Sequence, residues 1–248
     1  MTAHRFFLPP AAFAADTVSF PANVSHQIRR VLRLRTGDTV TALDGLGREY
    51  EIRLEVSAEG VSGTVAGRKQ NQAEPSVFLT LYTGIVKGHK FELVLQKCTE
   101  VGVSRFVPVV TERSVAHEPS VSRRRRFDAI AREAAEQSCR GVVPVVEASR
   151  AFAEALEDAA KSGPAYLLWE GELDRVLSGI GAVSDRAGIF IGPEGGFSET
   201  EVERARSAGV EVLSLGPRVL RAETAAIVGA ALMLARLEDN RGRNPLTP

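Results

Sequence analysis

Apolar positions recur with two different periods in this chain, and the change of period divides it. Over Thr39–Leu43, Arg48–Val56 and Gly60–Ala66 they alternate or run β-branched, separated by Asp44-Gly45 and Glu59-Gly60. Period-two patterning broken by glycine turns predicts a small β-rich unit over residues 1–70. One helix is predicted ahead of these strands, Asn23–Leu34, with Val24, Ile28, Val31 and Leu32 as its apolar stripe. The stretch Arg68–Pro75 is polar apart from one alanine and ends in proline, so a linker is expected there, with its limits at 71–75.

Beyond that point strands and helices alternate. Candidate strands are Val77–Thr83, Arg105–Val110, Ala165–Trp169, Gly188–Ile191 and Glu211–Ser214. Candidate helices are His89–Glu100, Ser122–Cys139, Ala151–Lys161, Glu199–Ala208 and Thr224–Glu238. Ser198 and Glu201 have the spacing of a capping box, and Gly209 stops the helix between. The alternation predicts an α/β domain with a mainly parallel sheet over 76–248. The last helix is apolar nearly all round from Thr224 to Ala235, so its own domain and a partner are both expected to cover it. The tail Asp239–Pro248 is expected to fray.

Composition narrows the class. With 248 residues, 44% hydrophobic and 25% charged, the chain can hold one large core or two small ones, and wholesale disorder is excluded. Its 31 basic and 31 acidic side chains cancel, which argues against a general polyanion binder but leaves room for local patches. One such patch stands out. Asn23–Arg35 carries no acid, and His26, Arg29, Arg30 and Arg33 fall at i, i+3, i+4 and i+7 on one predicted helix face. Unmixed, arginine-rich charge fits phosphate contact, although a solvated face is the plainer alternative. No apolar run reaches membrane length, and the first residues lack a signal-peptide core. Cys98 and Cys139 are isolated and the histidines scattered, so neither a metal site nor a disulfide framework is expected. A reduced, cytoplasmic location is the expectation.

The chemistry concentrates in two Gly/Pro loops. Gly192-Pro193-Glu194-Gly195-Gly196-Phe197 follows the strand ending at Ile191, and Leu215-Gly216-Pro217-Arg218-Val219-Leu220-Arg221-Ala222-Glu223-Thr224-Ala225 follows the strand ending at Ser214. Ends of buried strands are where α/β proteins bind ligands, and glycines let a ligand reach main chain. A phosphate loop would need a lysine after Gly196, and a dinucleotide fingerprint would need a different glycine spacing. Glu194 would repel a pyrophosphate. A ligand with a hydrogen-bonding base, apolar surface and positive charge suits the loops, but two structural turns explain the glycines equally well.

These two loops together resemble the cofactor-binding knot of SPOUT-class RNA methyltransferases. More closely, the chain resembles the ribosomal RNA small subunit methyltransferase E family, which methylates N3 of a uracil in 16S rRNA. Leu95-Gln96-Lys97-Cys98-Thr99-Glu100-Val101-Gly102-Val103, Glu133-Ala134-Ala135-Glu136-Gln137-Ser138 with Arg140, and His26 with Val31-Leu32-Arg33 extend the resemblance over nearly the whole chain. It implies a PUA-like RNA-binding β-barrel, a SPOUT α/β domain whose last helix completes a trefoil knot, and a homodimer formed through that helix. It implies S-adenosylmethionine as cofactor, held by Leu168, Ile191, Gly192, Glu194, Gly195, Gly196, Leu215, Gly216, Leu220 and Thr224. Its partner would be 16S rRNA, within the small ribosomal subunit, contacted by His26, Arg29, Arg30, Arg33, Lys97, Gln137 and Arg140. Surface ion pairing is the alternative for Lys97 with Glu100 and for Glu133 with Arg140.

The implied reaction sets its own demands. N3 of uracil normally carries a proton and must lose it, so the site needs an acceptor or a cation for charge developing on O2 and O4. Arg221 and Glu223 have those abilities. Arg221 could bind a phosphate or a carbonyl oxygen, and Glu223 could take the proton, orient Arg221, or simply be a helix-start acid. Ribose 2′-O-methylation and a non-catalytic assembly role are the rival functions.

Overall fold

The computed structural model describes residues 4–86, 89–114, 120–180 and 184–239, so the tail beyond Asp239, expected to fray, lies outside the described residues, as does His117. By their contacts the residues form two units, Met1–Glu74 with Ala135–Val143, and Pro75–Ala134 with Pro144–Pro248.

The first unit is built on six strands: β1 (Arg5–Phe7), β2 (Phe13–Ala14), β3 (Thr17–Ser19), β4 (Thr39–Leu43), β5 (Arg48–Val56) and β6 (Val61–Gln70). They form one sheet in the order β1-β4-β5-β6-β3-β2, antiparallel except for the β1–β4 pair. Phe6, Val18, Phe20, Ile28, Val40, Ile52 and Leu54 close its core. The strands β1 to β3 escape a periodicity search because three or fewer residues cannot show an alternation.

The helix expected over Asn23–Leu34 is shorter and irregular. α1 (Ala22–His26) runs into a π-turn over Gln27–Val31, in which the Leu32 amide donates to the Gln27 carbonyl at 2.9 Å. The π-turn holds more residues per turn, and Arg33 ends the helix at φ 56°. His26, Arg29, Arg30 and Arg33 therefore do not keep the regular i, i+3, i+4, i+7 stripe.

The expected linker is a second correction. Arg68, Lys69 and Gln70 are the end of β6, and Asn71 is buried, its side chain donating to Glu49 Oε1 at 2.5 Å and to the Cys139 carbonyl at 2.8 Å. Glu74 accepts from Arg140 Nη2 at 2.9 Å and from the Gly141 amide at 2.9 Å. Those bonds place 135–143 with the first unit, although periodicity had assigned all of 76–248 to the second. Glu49 also accepts from Arg5 Nη2 at 2.6 Å. Burial pushes its carboxyl up, but the Arg5 hydrogen bond and charge, with Asn71 and Lys69, hold it below the usual carboxylate range.

The second unit contains β7 (Phe78–Gly84), α2 (Lys90–Val101), β8 (Arg105–Val110), α3 (Val121–Gln137), β9 (Val145–Val146), β10 (Arg150–Ala151), α4 (Phe152–Ser162), β11 (Ala165–Leu168), β12 (Arg186–Ile191), α5 (Glu199–Ser207), β13 (Glu211–Leu213) and α6 (Ala222–Asp239), with the last three residues of α3 counted in the first unit. Its sheet is parallel throughout, in the order β10-β8-β7-β12-β11-β13, with β9 beside β8. Alternate residues of one strand face opposite layers: Ile189 and Ile191 pack with residues of α2 and α6, whereas Phe190 packs with residues of α4 and α5. Tyr82 stacks on Phe190 with ring centroids 4.4 Å apart.

Candidate active site

Strand order builds the site. β12, β11 and β13 are neighbours, and their ends are level, with Leu168 paired to both Ile191 and Leu213. The loops that follow, from Gly192, Trp169 and Ser214, therefore emerge side by side. Between them lies a cavity of about 310 Å³.

Eight of the expected cofactor residues line this cavity: Leu168, Ile191, Gly192, Glu194, Gly196, Leu215, Gly216 and Leu220. Gly195 and Thr224 do not. Gly195 turns the other way, since a Cβ there would lie 3.1 Å from the Arg113 Cβ, and its φ is not positive. Thr224 is exposed on α6. Gly196 and Gly216 have φ of 67° and 101°, so both need glycine for conformational reasons, and a Cβ on Gly196 would come within 2.6 Å of Glu170 Oε1.

The first loop is held from three sides. Arg113 Nη1 donates to the Gly195 carbonyl at 3.0 Å and to the Phe197 carbonyl at 3.4 Å. Gly84, ending β7, admits Pro193 so closely that a Cβ would lie 2.5 Å from its nitrogen. The expected capping box is present: Ser198 Oγ accepts from the Glu201 amide at 3.2 Å, and Glu201 Oε2 accepts from the Ser198 amide at 3.0 Å. Glu201 Oε1 further accepts the Glu112 amide at 2.9 Å.

The candidate catalytic pair is split. Arg221 is exposed and lines the cavity. Glu223 is not one of the lining residues; its side chain is 12% exposed, and its Oε2 is buried with no hydrogen-bond partner among the described residues, 3.7 Å from Lys90 Nζ. Lys90, Trp169 and Glu170 also line the cavity, and none was singled out from the sequence. The signal for Trp169 and Glu170 was available: they follow a third strand end, but only strand order shows that it lies beside the other two. Lys90 gave none, because it reaches the site from a helix that precedes all three loops by a long stretch of chain.

The expected RNA contacts divide likewise. His26, Arg30 and Arg33 are exposed, while Arg29 is half-buried and donates to the Ala58 carbonyl at 3.1 Å. Lys97 pairs with Glu100 at 2.8 Å, and Gln137 is exposed near the end of α3. Arg140 is a correction. It is 2% exposed and bonded to Glu74 rather than Glu133, so it supports the first unit and offers nothing to a ligand. Among the described residues no cluster of His, Cys, Asp and Glu could hold a metal, and no helix is long and apolar enough to cross a membrane.

Residues 73–234 match the model of the RNA methyltransferase domain family. The chain is 33% identical over 243 residues to ribosomal RNA small subunit methyltransferase E of Synechocystis, covering 96% of this chain and 79% of that one. It belongs to that family. The Bacillus subtilis member is 31% identical over 239 residues, 92% of this chain and 93% of its own. The Neisseria gonorrhoeae member, solved bound to S-adenosyl methionine, has a TM-score of 0.86 and 30% identity, covering 94% of this chain and 97% of its own. Family membership thus rests on both units of the chain and on the fold.

Proposed function

We propose that this protein transfers a methyl group from S-adenosylmethionine to N3 of a uracil in 16S rRNA of the small ribosomal subunit. The observation that carries the reading is the cavity between the glycine loops at three adjacent strand ends, in a chain of this family. Its walls suit such a cofactor. Leu168, Ile191, Leu215 and Leu220 offer an apolar slot for a base, Gly192, Gly196 and Gly216 bring main chain to the cavity wall with no side chain in the way, and Glu194 and Glu170 suit a ligand with positive charge. When bound, S-adenosylmethionine supplies the methyl group from its sulfonium.

The chain's own residues supply the rest. Arg221 at the cavity wall binds an RNA phosphate or a uracil carbonyl, and the Glu223 carboxylate takes the N3 proton. A paired uracil hides N3, so the base enters unpaired or flipped. His26, Arg30 and Arg33, with Lys97 and Gln137, contact RNA. The first unit is read as the PUA-like RNA-binding barrel. In the second, α6 threads beneath the Gly192 loop as a SPOUT knot, consistent with Gly229, where a Cβ would lie 2.7 Å from Leu168 Cδ1. Val228 and Leu232, 36% and 48% exposed on α6, suit a homodimer contact. A protein acting on ribosomal subunits works in the cytoplasm.

The test is transfer in vitro. Small subunits lacking the modification, incubated with the protein and methyl-labelled S-adenosylmethionine, are expected to yield labelled 3-methyluridine. Label in a 2′-O-methyl nucleoside would assign the ribose reaction. Cofactor binding without transfer to subunits or naked 16S rRNA would favour an assembly role.

A further inference from the structure

Lys90 is placed where a cation is costly. It is the first residue of α2, where the helix dipole favours negative charge, and its ammonium reaches the cavity. There it lies between two carboxylates from separate loops, 3.5 Å from Glu194 Oε1 and 3.7 Å from Glu223 Oε2. The second distance is too long for a hydrogen bond, and Glu223 Oε2 is buried with no other donor among the described residues. Buried acceptors are ordinarily satisfied, so this one calls for an explanation. The side chain of Lys90 is 39% exposed and that of Glu223 12%, so the ammonium is the more open to solvent of the two.

We propose that Lys90 is a catalytic cation that stabilises the uracil anion during methyl transfer. The idea rests on the reading of the site given above. Charge accounting supports it. Before reaction, Lys90 faces the negative charge of Glu223. The N3 proton passes to Glu223 and neutralises it, and the negative charge appears on uracil, shared between O2 and O4. Lys90 then serves the uracil oxygen instead, with no net charge brought in or lost. N3 gives its electron pair to the methyl carbon, the carbon–sulfur pair stays with sulfur, and the product base is neutral. A lysine suits this transfer better than an arginine fork, because its ammonium is a point charge on a flexible stem. Among the described residues, Glu194 from the loop after β12, Glu223 from α6, Glu170, Arg218 and Arg221 around the cavity, His89 just before its helix and Glu92 on it are the other charged or titratable groups to be counted.

The experiment compares wild type, Lys90→Met and Lys90→Arg in single-turnover methylation of small subunits across pH, beside calorimetric titration with S-adenosylmethionine. Loss of one such stabiliser is expected to slow transfer about 100-fold. Cofactor affinity should stay within about threefold, because the carboxylates and main chain of the cavity remain. Lys90→Arg should recover part of the rate. The Lys90→Met rate should also keep rising with pH beyond the point at which wild type levels off, since the uracil anion is then formed without the cation that stabilises it, although Glu223 remains as proton acceptor. Lys90→Met turning over at the wild-type rate, or losing cofactor affinity in parallel with rate and without the changed pH profile, would overturn the proposal. A wild-type protein that binds cofactor but methylates no RNA would instead overturn the functional reading beneath it.

Discussion

Single residues carry the sharpest consequences, and the two loop glycines differ. Gly216 has φ 101°, a conformation that costs a β-branched residue roughly 1–3 kcal/mol, whereas Gly195 has no such restriction. Gly216→Val should therefore weaken S-adenosylmethionine binding about tenfold or more by calorimetry, and Gly195→Ala should leave it nearly unchanged. Equal losses would mean that the cavity is not the cofactor site. Arg140 gives the opposite kind of test. Arg140→Ala leaves the half-buried Glu74 without its guanidinium, a loss of about 1–3 kcal/mol, visible as a lowered urea midpoint. Glu49 makes stability depend on pH. Its carboxyl is held below its ordinary value of 4.5 in the folded state, so the stabilisation is present above that pH and is lost as pH falls through the lower folded value. Acid unfolding of Glu49→Gln, followed by circular dichroism, should show a shallower loss of stability below pH 4.5 than wild type. At this scale the sequence was partly legible. Gly192 and Gly216 announced themselves through proline neighbours and strand ends. The roles of Arg140, Glu74 and Lys90 did not show, because a charged residue's partner lies far along the chain.

At the scale of elements, periodicity served the second unit well. β8 spans Arg105–Val110 as expected, and α5 starts at its capping box because Ser198 and Glu201 are local chemistry. It failed for α1, where a helical template assumes a regular rise and a π-turn breaks it. The functional expectation for that element still has a clean readout. Replacing Arg30 and Arg33 by Ala should remove up to two phosphate contacts and flatten the salt dependence of RNA binding by a slope of about two. Cofactor affinity should not change. Full affinity and slope in the double variant would leave a merely solvated surface. α6 makes the other element-scale prediction. Val228→Glu with Leu232→Glu should convert a dimer to a monomer in equilibrium sedimentation at micromolar protein. A wild-type monomer would show that the exposed stripe has no self-partner.

At the scale of the whole molecule, the two-unit organisation was readable from the change in hydrophobic period, and the parallel sheet from strand–helix alternation. The order of the strands was not. β12 lies between β7 and β11 although β11 precedes it in the chain, and that placement gathers the cavity loops. Nor could periodicity assign 135–143 to the first unit, since the decision rests on Glu74 and Asn71 bonding across some sixty-odd residues of chain. The central claim, a base methylation of 16S rRNA, is tested most directly by nucleoside mass spectrometry of that RNA from cells with and without the gene. The account predicts 3-methyluridine in the first sample, its loss from the second, and its return when the gene is restored. Unchanged 3-methyluridine in the deletion strain, or loss of a 2′-O-methyl nucleoside in its place, would contradict it.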